Sequence, residues 1–188
     1  ALLRLAQDDV EAASTSIRRV VEEAGRPAAR ARILPAHVRI MLAAGDETAA
    51  RASAEELGEL AERLGAPFLR AAALHARGAV ELAGGDAASA LDALRAASCL
   101  WEEIPAPYEA ARTRVLIGLA CRRLGDEDTG RVELEAARRV FERLRARPDL
   151  ERLVELLPAA ASPEGRDRHG LSPRELQVLR RVAAGHTN

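Results

Sequence analysis

The chain has 188 residues, 48% hydrophobic and 30% charged, which suits one soluble domain or a repeat array with an appendage. Its 28 basic and 29 acidic residues exclude a broadly cationic surface of the kind that coats nucleic acid, and leave room only for a localised basic face. Aromatic residues are 2% of the chain, so the core must be built from Ala, Leu and Val, which favours closely packed helices over a β-sandwich.

Pro27, Pro67 and Pro107 recur at a 40-residue step, and Gly45-Asp46, Gly85-Asp86 and Gly125-Asp126 recur at the same step. Two independent marks at one interval predict a solenoid of repeated supersecondary units. Residues 1–24 read as the tail of one helix and the whole of a second. Gln7-Asp8 takes the place of the later Gly-Asp, and Val10, Ala13, Ile17, Val20 and Val21 follow at helical spacing. Gly25-Arg26-Pro27 breaks the chain, with Gly25 suited to a left-handed C′ position and Pro27 to a first helical turn.

Three full copies follow, Pro27 to Leu64, Pro67 to Ile104 and Pro107 to Leu144. In each, a first helix runs from the proline to the glycine, and the aspartate caps a second helix by accepting its orphaned amide hydrogens. The tight reversal predicts antiparallel neighbours. Ala31, Ala71 and Ala111 share one register position, and Val38, Gly78 and Gly118 another, where small residues let helices cross closely. In the second helices Leu60, Leu100 and Val140 coincide, as do Ala61, Trp101 and Phe141, and Leu64, Ile104 and Leu144. These are apolar stripes that no single hairpin could bury. Pro35, mid-way through its helix, predicts a kink or break there. Pro148 opens a short helix through Leu153, Val154, Leu156 and Leu157, read as the cap of the solenoid.

The hairpins with their Leu-Gly-Asp turn resemble tetratricopeptide repeats in a lengthened form, about forty residues rather than about 34. Val38 in a Gly position, and Gly130 where the other copies have Ala50 and Ala90, depart from the pattern. The expected fold is therefore all-α: a tetratricopeptide-like α-solenoid over residues 1–157, a linker at 158–170 rich in Pro, Gly, Ser and charge, and a new unit at 171–188.

That last unit starts with Ser172 as N-cap, Pro173 in the first turn and Glu175 completing a capping box. Leu171, Ser172, Arg174, Glu175, Val178, Leu179, Ala183, Gly185, Thr187 and Asn188 closely resemble the first helix of the LuxR-type helix-turn-helix domain. Repeats followed by such a tail resemble the large LuxR-family regulators of bacteria. The resemblance implies an ATP-binding module before the repeats and a DNA-reading module after them. It also implies that the recognition helix, which enters the major groove, would follow Asn188, so that DNA is met only through the complete C-terminal domain.

No catalytic, metal or cofactor site is expected within the chain. Lys is absent, which removes Schiff-base chemistry and a phosphate-loop lysine. His37, His75, His169 and His186 share no metal-ligand spacing, and the paired glutamates Glu22-Glu23, Glu55-Glu56 and Glu102-Glu103 fall on solvated helical faces or ends. Cys99 and Cys121 fit two buried thiols of a reduced, cytoplasmic protein. No apolar run of about twenty residues and no signal peptide is present, so no membrane partner is expected. The chain begins without Met inside a helical pattern, which reads as an excised fragment.

Trp101 and Tyr108 flank a turn beside the groove that stacked repeats create, and are the candidate ligand contacts, although Trp101 reads first as core because it shares its register with Phe141. The expected function is the sensor or effector-binding region of a LuxR-family regulator. The alternative is a stand-alone tetratricopeptide-type interaction scaffold. A homodimer through the open first repeat is a further expectation.

Overall fold

The computed structural model describes residues 1–157; the linker expected at 158–170 and the helix expected at 171–188 fall outside the described residues. The described chain is all-helical. In order it forms α1 (Leu2–Ala6), α2 (Val10–Glu23), α3 (Pro27–Ala43), α4 (Glu47–Leu64), α5 (Pro67–Ala83), α6 (Ala87–Glu103), α7 (Pro107–Arg123), α8 (Glu127–Leu144) and α9 (Arg147–Leu156). One compact unit runs from Ala1 to Leu153, and of the second only Val154–Leu157 is described.

Each hairpin is closed by one backbone device. Gly85 sits at φ +91°, a left-handed conformation that costs a residue with a Cβ, and Gly45 and Gly125 repeat it. The amide of the following aspartate reaches back to the carbonyl five residues earlier: Asp46 to Met41 at 2.9 Å, Asp86 to Glu81 at 3.0 Å, Asp126 to Cys121 at 2.9 Å. Its carboxylate then accepts the amide three residues on, from Ala49, Ser89 and Thr129, each at 3.0 Å. At the N-terminus the same device falls one residue later than the Gln7-Asp8 placement. Asp8 takes the left-handed position at φ 59° and Asp9 caps α2 through Ala12. Aspartate tolerates that conformation better than most residues, so no glycine is needed there.

One local expectation fails, and of a second the break is excluded. Gly25 is not left-handed, and α2 ends at Ala24 without that motif. Pro35 does not break α3, which runs unbroken from Pro27 to Ala43. Ala31, Leu34, His37 and Val38, on both sides of the proline, are buried and hold the helix together despite the missing hydrogen bond.

Packing follows the register. α3 lies on α4, α5 on α6 and α7 on α8, and each second helix packs on the next first helix. First helices also meet across repeats, α3 with α5 and α5 with α7, whereas consecutive second helices do not pack closely among the described residues. The row of first helices is therefore the inner, tighter side. Inside the hairpins the crossings are close enough to require glycine. A Cβ on Gly78 would lie 2.6 Å from Leu94 Cγ, and one on Gly118 2.9 Å from the Gly130 carbonyl oxygen. Gly130, a departure in the sequence pattern, thus faces Gly118 and lets α7 and α8 approach.

The open end of two hairpins carries an aromatic clasp. Phe68 meets Trp101 edge-on at 5.1 Å, and Tyr108 meets Phe141 at 6.0 Å, which together use all four aromatic residues of the chain. Ala28 and Ala61 hold the equivalent positions in the preceding copy.

α9 departs from the expectation of a stacked cap. It begins at Arg147, one period after Pro107, so by register it is the first helix of a further repeat. Yet it does not pack on α8 as α5 packs on α4 and α7 on α6. Its side chains instead reach α1, α3 and α7: Arg152 donates to the Leu5 carbonyl at 2.8 Å, and Asp149 meets Arg39 and Tyr108.

Substituting Gly118→Val should cost about 1–3 kcal/mol, since the added atoms meet backbone that cannot move aside. Gly58→Ala in α4, where an added Cβ meets nothing within 4 Å, should stabilise by about 0.5–1 kcal/mol. Urea unfolding of both variants beside the parent checks the pair of opposite signs.

Candidate binding face

The inner face is built from first-helix positions that the period leaves free. Arg39 on α3 shares its register with Ala79 and Leu119, all three half-buried. His75 on α5 shares its register with Pro35 and Val115, and Tyr108 on α7 with Ala28 and Phe68. None of these polar groups recurs, so none is required to make a hairpin.

Arg39 and Tyr108 come together around one carboxylate. Asp149 Oδ1 lies 3.5 Å from Arg39 Nη2, and Asp149 Oδ2 accepts the Tyr108 hydroxyl at 2.9 Å. The Asp149 side chain keeps 15% of its surface exposed, so the pair is better shielded from water than a surface bridge. Burial, and then the Asp149 charge, push the Tyr108 hydroxyl above its ordinary range, which keeps it protonated as a donor. Arg112 sits 5.9 Å from the centre of the Tyr108 ring and pairs with Glu109 at 2.9 Å, one turn along α7.

His75 completes the cluster. Its Nδ1 lies 2.8 Å from the Thr113 hydroxyl, which donates its one hydrogen to the Glu109 carbonyl at 2.9 Å. Thr113 must therefore accept from His75 Nδ1–H, which leaves Nε2 as the bare nitrogen of a neutral ring. Burial first, then the charges of Arg112 and Arg39, lower the His75 pKa to about 3. His37 is also lowered, chiefly by burial and then by Arg18, and its Nδ1 pairs with Ser53 at 2.8 Å. The two histidines thus have separate partners. Among the described residues no group of three or more His, Cys, Asp or Glu could hold a metal ion.

The residues flagged in the sequence are distributed unevenly. Tyr108 lies in this cluster. Trp101 does not line it: it is 3% exposed, packed with Ala71, Ala72 and Ala97, because its register mate is the core residue Phe141. Gly45, Asp46, Gly85, Asp86, Gly125 and Asp126 form the turns. Leu171, Ser172, Arg174, Glu175, Val178, Leu179, Ala183, Gly185, Thr187 and Asn188, with His169 and His186, fall outside the described residues. Cys121 is buried and its thiol pushed up by that burial, but Cys99 is exposed, against the expectation of two buried thiols. Glu56 is not a free solvated acid, since it grips Arg30 through both oxygens, one at 2.7 Å. No described helix is long and apolar enough to cross a membrane.

Arg39, His75 and Asp149 were missed in the sequence. For Arg39 and His75 the available signal was their failure to repeat, a polar residue at a first-helix position whose mates are apolar; Asp149 gave none, because its register mate in the preceding copy is the acid Glu109. A second concavity, a cleft of about 460 Å³ between α4 and α5, is floored by Ala54, Gly58, Ala61 and Ala73. Its rim charges neutralise one another, Arg77 with Glu81 at 3.2 Å and Arg70 with Glu62 at 3.9 Å. Glu81 Oε2 is nevertheless buried without a hydrogen-bond partner among the described residues.

Because both inner histidines take up a proton less readily in the folded chain than in the unfolded one, their contribution to stability is full above about pH 6.5 and declines as the pH falls. Asp86 and Asp126, lowered mainly by their capping hydrogen bonds to Ser89 and Thr129, add losses only at more acid pH. Unfolding measured between pH 7 and 4.5 should show a decline that His75→Gln makes shallower and that a second substitution, His37→Gln, flattens further.

No protein-family model matches the chain, and no curated protein matches it.

Proposed function

We propose that the repeats are the partner-receiving arm of a LuxR-like transcriptional regulator. In this reading the inner face takes an effector or a protein partner, and its state is passed along the chain to a DNA-reading module that starts at residues 171–188. One observation supports the reading above the others. Asp149, held by Arg39 from one repeat and Tyr108 from another, lies on the helix that leads directly into the 158–170 linker. A ligand that takes the place of that carboxylate frees the helix at the head of the linker, and any difference in affinity between the two states becomes a coupling free energy. The DNA-reading arm rests on the resemblance of residues 171–188. The hydroxyl–imidazole pair of the inner face, Thr113 with His75, has the hydroxyl donating to the Glu109 carbonyl and accepting from the ring, so binding is the role proposed for the face.

Read past Asn188, the gene should encode Arg/Lys-Glu-Ile-Ala and a second helix. Protein extended through that helix should shift DNA at low salt, where phosphate contacts are strongest, and the 188-residue chain should not. Asp149→Ala should alter the DNA affinity of the extended protein by about five-fold or more. A stop codon after Asn188, or an extended protein that leaves DNA unshifted, would return the chain to the stand-alone scaffold reading.

A further inference from the structure

The contacts of α9 describe what the inner face recognises. Three of its residues do the work, at spacing i, i+3 and i+4. Asp149 fills the gap between Arg39 and Tyr108. Arg152 donates to the Leu5 carbonyl at the end of α1 and lies 3.9 Å from Asp8. Leu153 is 1% exposed, although its neighbour Val154 on the same helix is 65% exposed. These positions share one face of a helix, so the three contacts form a single recognition edge.

The polar groups that receive it are not needed to build the repeats: Arg39 has Ala79 and Leu119 as register mates, and the Tyr108 hydroxyl is missing from Ala28 and Phe68. The helix that fills the face is also poorly anchored as a structural element. It has ten residues, too few to be stable alone in water. It leaves the stack to which its register assigns it, and among the described residues it packs closely against no other helix backbone. Even the turn that delivers it is strained. Arg145 adopts φ 55° where Gly65, two periods earlier, takes φ 63°.

We propose that the inner face is a binding site for a helical segment of a partner protein carrying Asp-x-x-Arg-Leu, and that α9 is the resident competitor for it within the chain. This deepens the reading of the repeats as a partner-receiving arm and rests on it, but its test involves no DNA. The occupant is a helix and not a small anionic effector, because a carboxylate alone satisfies Arg39 and Tyr108 while leaving the Leu5 carbonyl and the Leu153 site unused. Tethering gives α9 a high effective concentration, so the site is open to an outside helix only in the fraction of molecules where α9 has left.

The test is a fluorescence-anisotropy titration of a labelled peptide of sequence 146–157 with the full chain and its variants. Leu153→Asp unseats α9 in cis, and Asp149→Lys is a second route to the same state. Circular dichroism identifies variants that keep the parent helicity. Either folded variant should bind the peptide about ten-fold or more tightly than the parent chain, since the competitor is removed. Adding Arg39→Glu to Leu153→Asp should abolish that gain, and a peptide with Lys in the place of Asp149 should restore it. Folded variants that bind no tighter than the parent, or binding indifferent to both Arg39 and the peptide acid, would overturn the proposal. A parent chain that is a dimer in light scattering and becomes monomeric in Leu153→Asp would also overturn it, by assigning the face to α9 of a second copy. Loss of DNA coupling in the extended protein with peptide binding intact would remove the regulatory reading and leave this one standing.

Discussion

One aspartate per repeat has to finish one helix and begin the next. Its backbone amide satisfies a carbonyl left open at the end of the first helix, and its carboxylate satisfies an amide left open at the start of the second. This double use removes any need for a longer loop, so the two helices must run antiparallel and in contact. The glycine before it supplies the only conformation in which both bonds form. Everything else in the solenoid inherits its register from that turn: which first-helix residues face the second helix, where the close crossing falls, and which positions remain for the inner face.

A tight turn at one end of a hairpin demands small residues at the crossing and something larger at the open end. Gly78 and Gly118 supply the first, each in contact with a leucine and a backbone carbonyl of the partner helix. The two aromatic pairs supply the second, and the copy that has Ala28 and Ala61 there has none. That copy is tied instead by Arg30, which grips Glu56 on α4 and donates to the Val21 carbonyl of α2 at 2.8 Å. The arginine-only composition thus has a structural use. A guanidinium can bind a carboxylate through two bonds and still donate to a carbonyl, which an ammonium with no fixed fork does less well. Arg123 and Arg152 likewise donate to the Leu82 and Leu5 carbonyls between more distant helices.

The inner face obeys a different logic from the repeats that carry it. Apolar stripes recur because each hairpin must bury the same surface, whereas Arg39, His75 and the Tyr108 hydroxyl stand where no other copy carries such a group. Their common neighbourhood holds the Arg39 guanidinium, a neutral imidazole, a protonated phenol and Arg112, which Glu109 already pairs, beside a single acid from α9. The proposed coupling to a DNA-reading module follows from chain connectivity: the helix carrying that acid is also the start of the path to the linker.

The 40-residue period, the hairpin boundaries, the capping aspartates and the glycine crossings were legible in the sequence, because each depends on residues near in the chain or on a register that repeats. Tyr108 was legible as a candidate by being aromatic beside a turn, while Trp101, flagged on the same ground, proved to be core. The helix over Pro35 was not legible, since burial on both sides overrides a local penalty. The path of α9 was hidden for a related reason. Its register assigns it to the stack, and the contacts that draw it away join residues as far apart as Leu5 and Arg152, 147 positions along the chain. Periodicity determines what every repeat must do; only the tertiary structure decides what the unrepeated residues do, because their partners lie in other repeats.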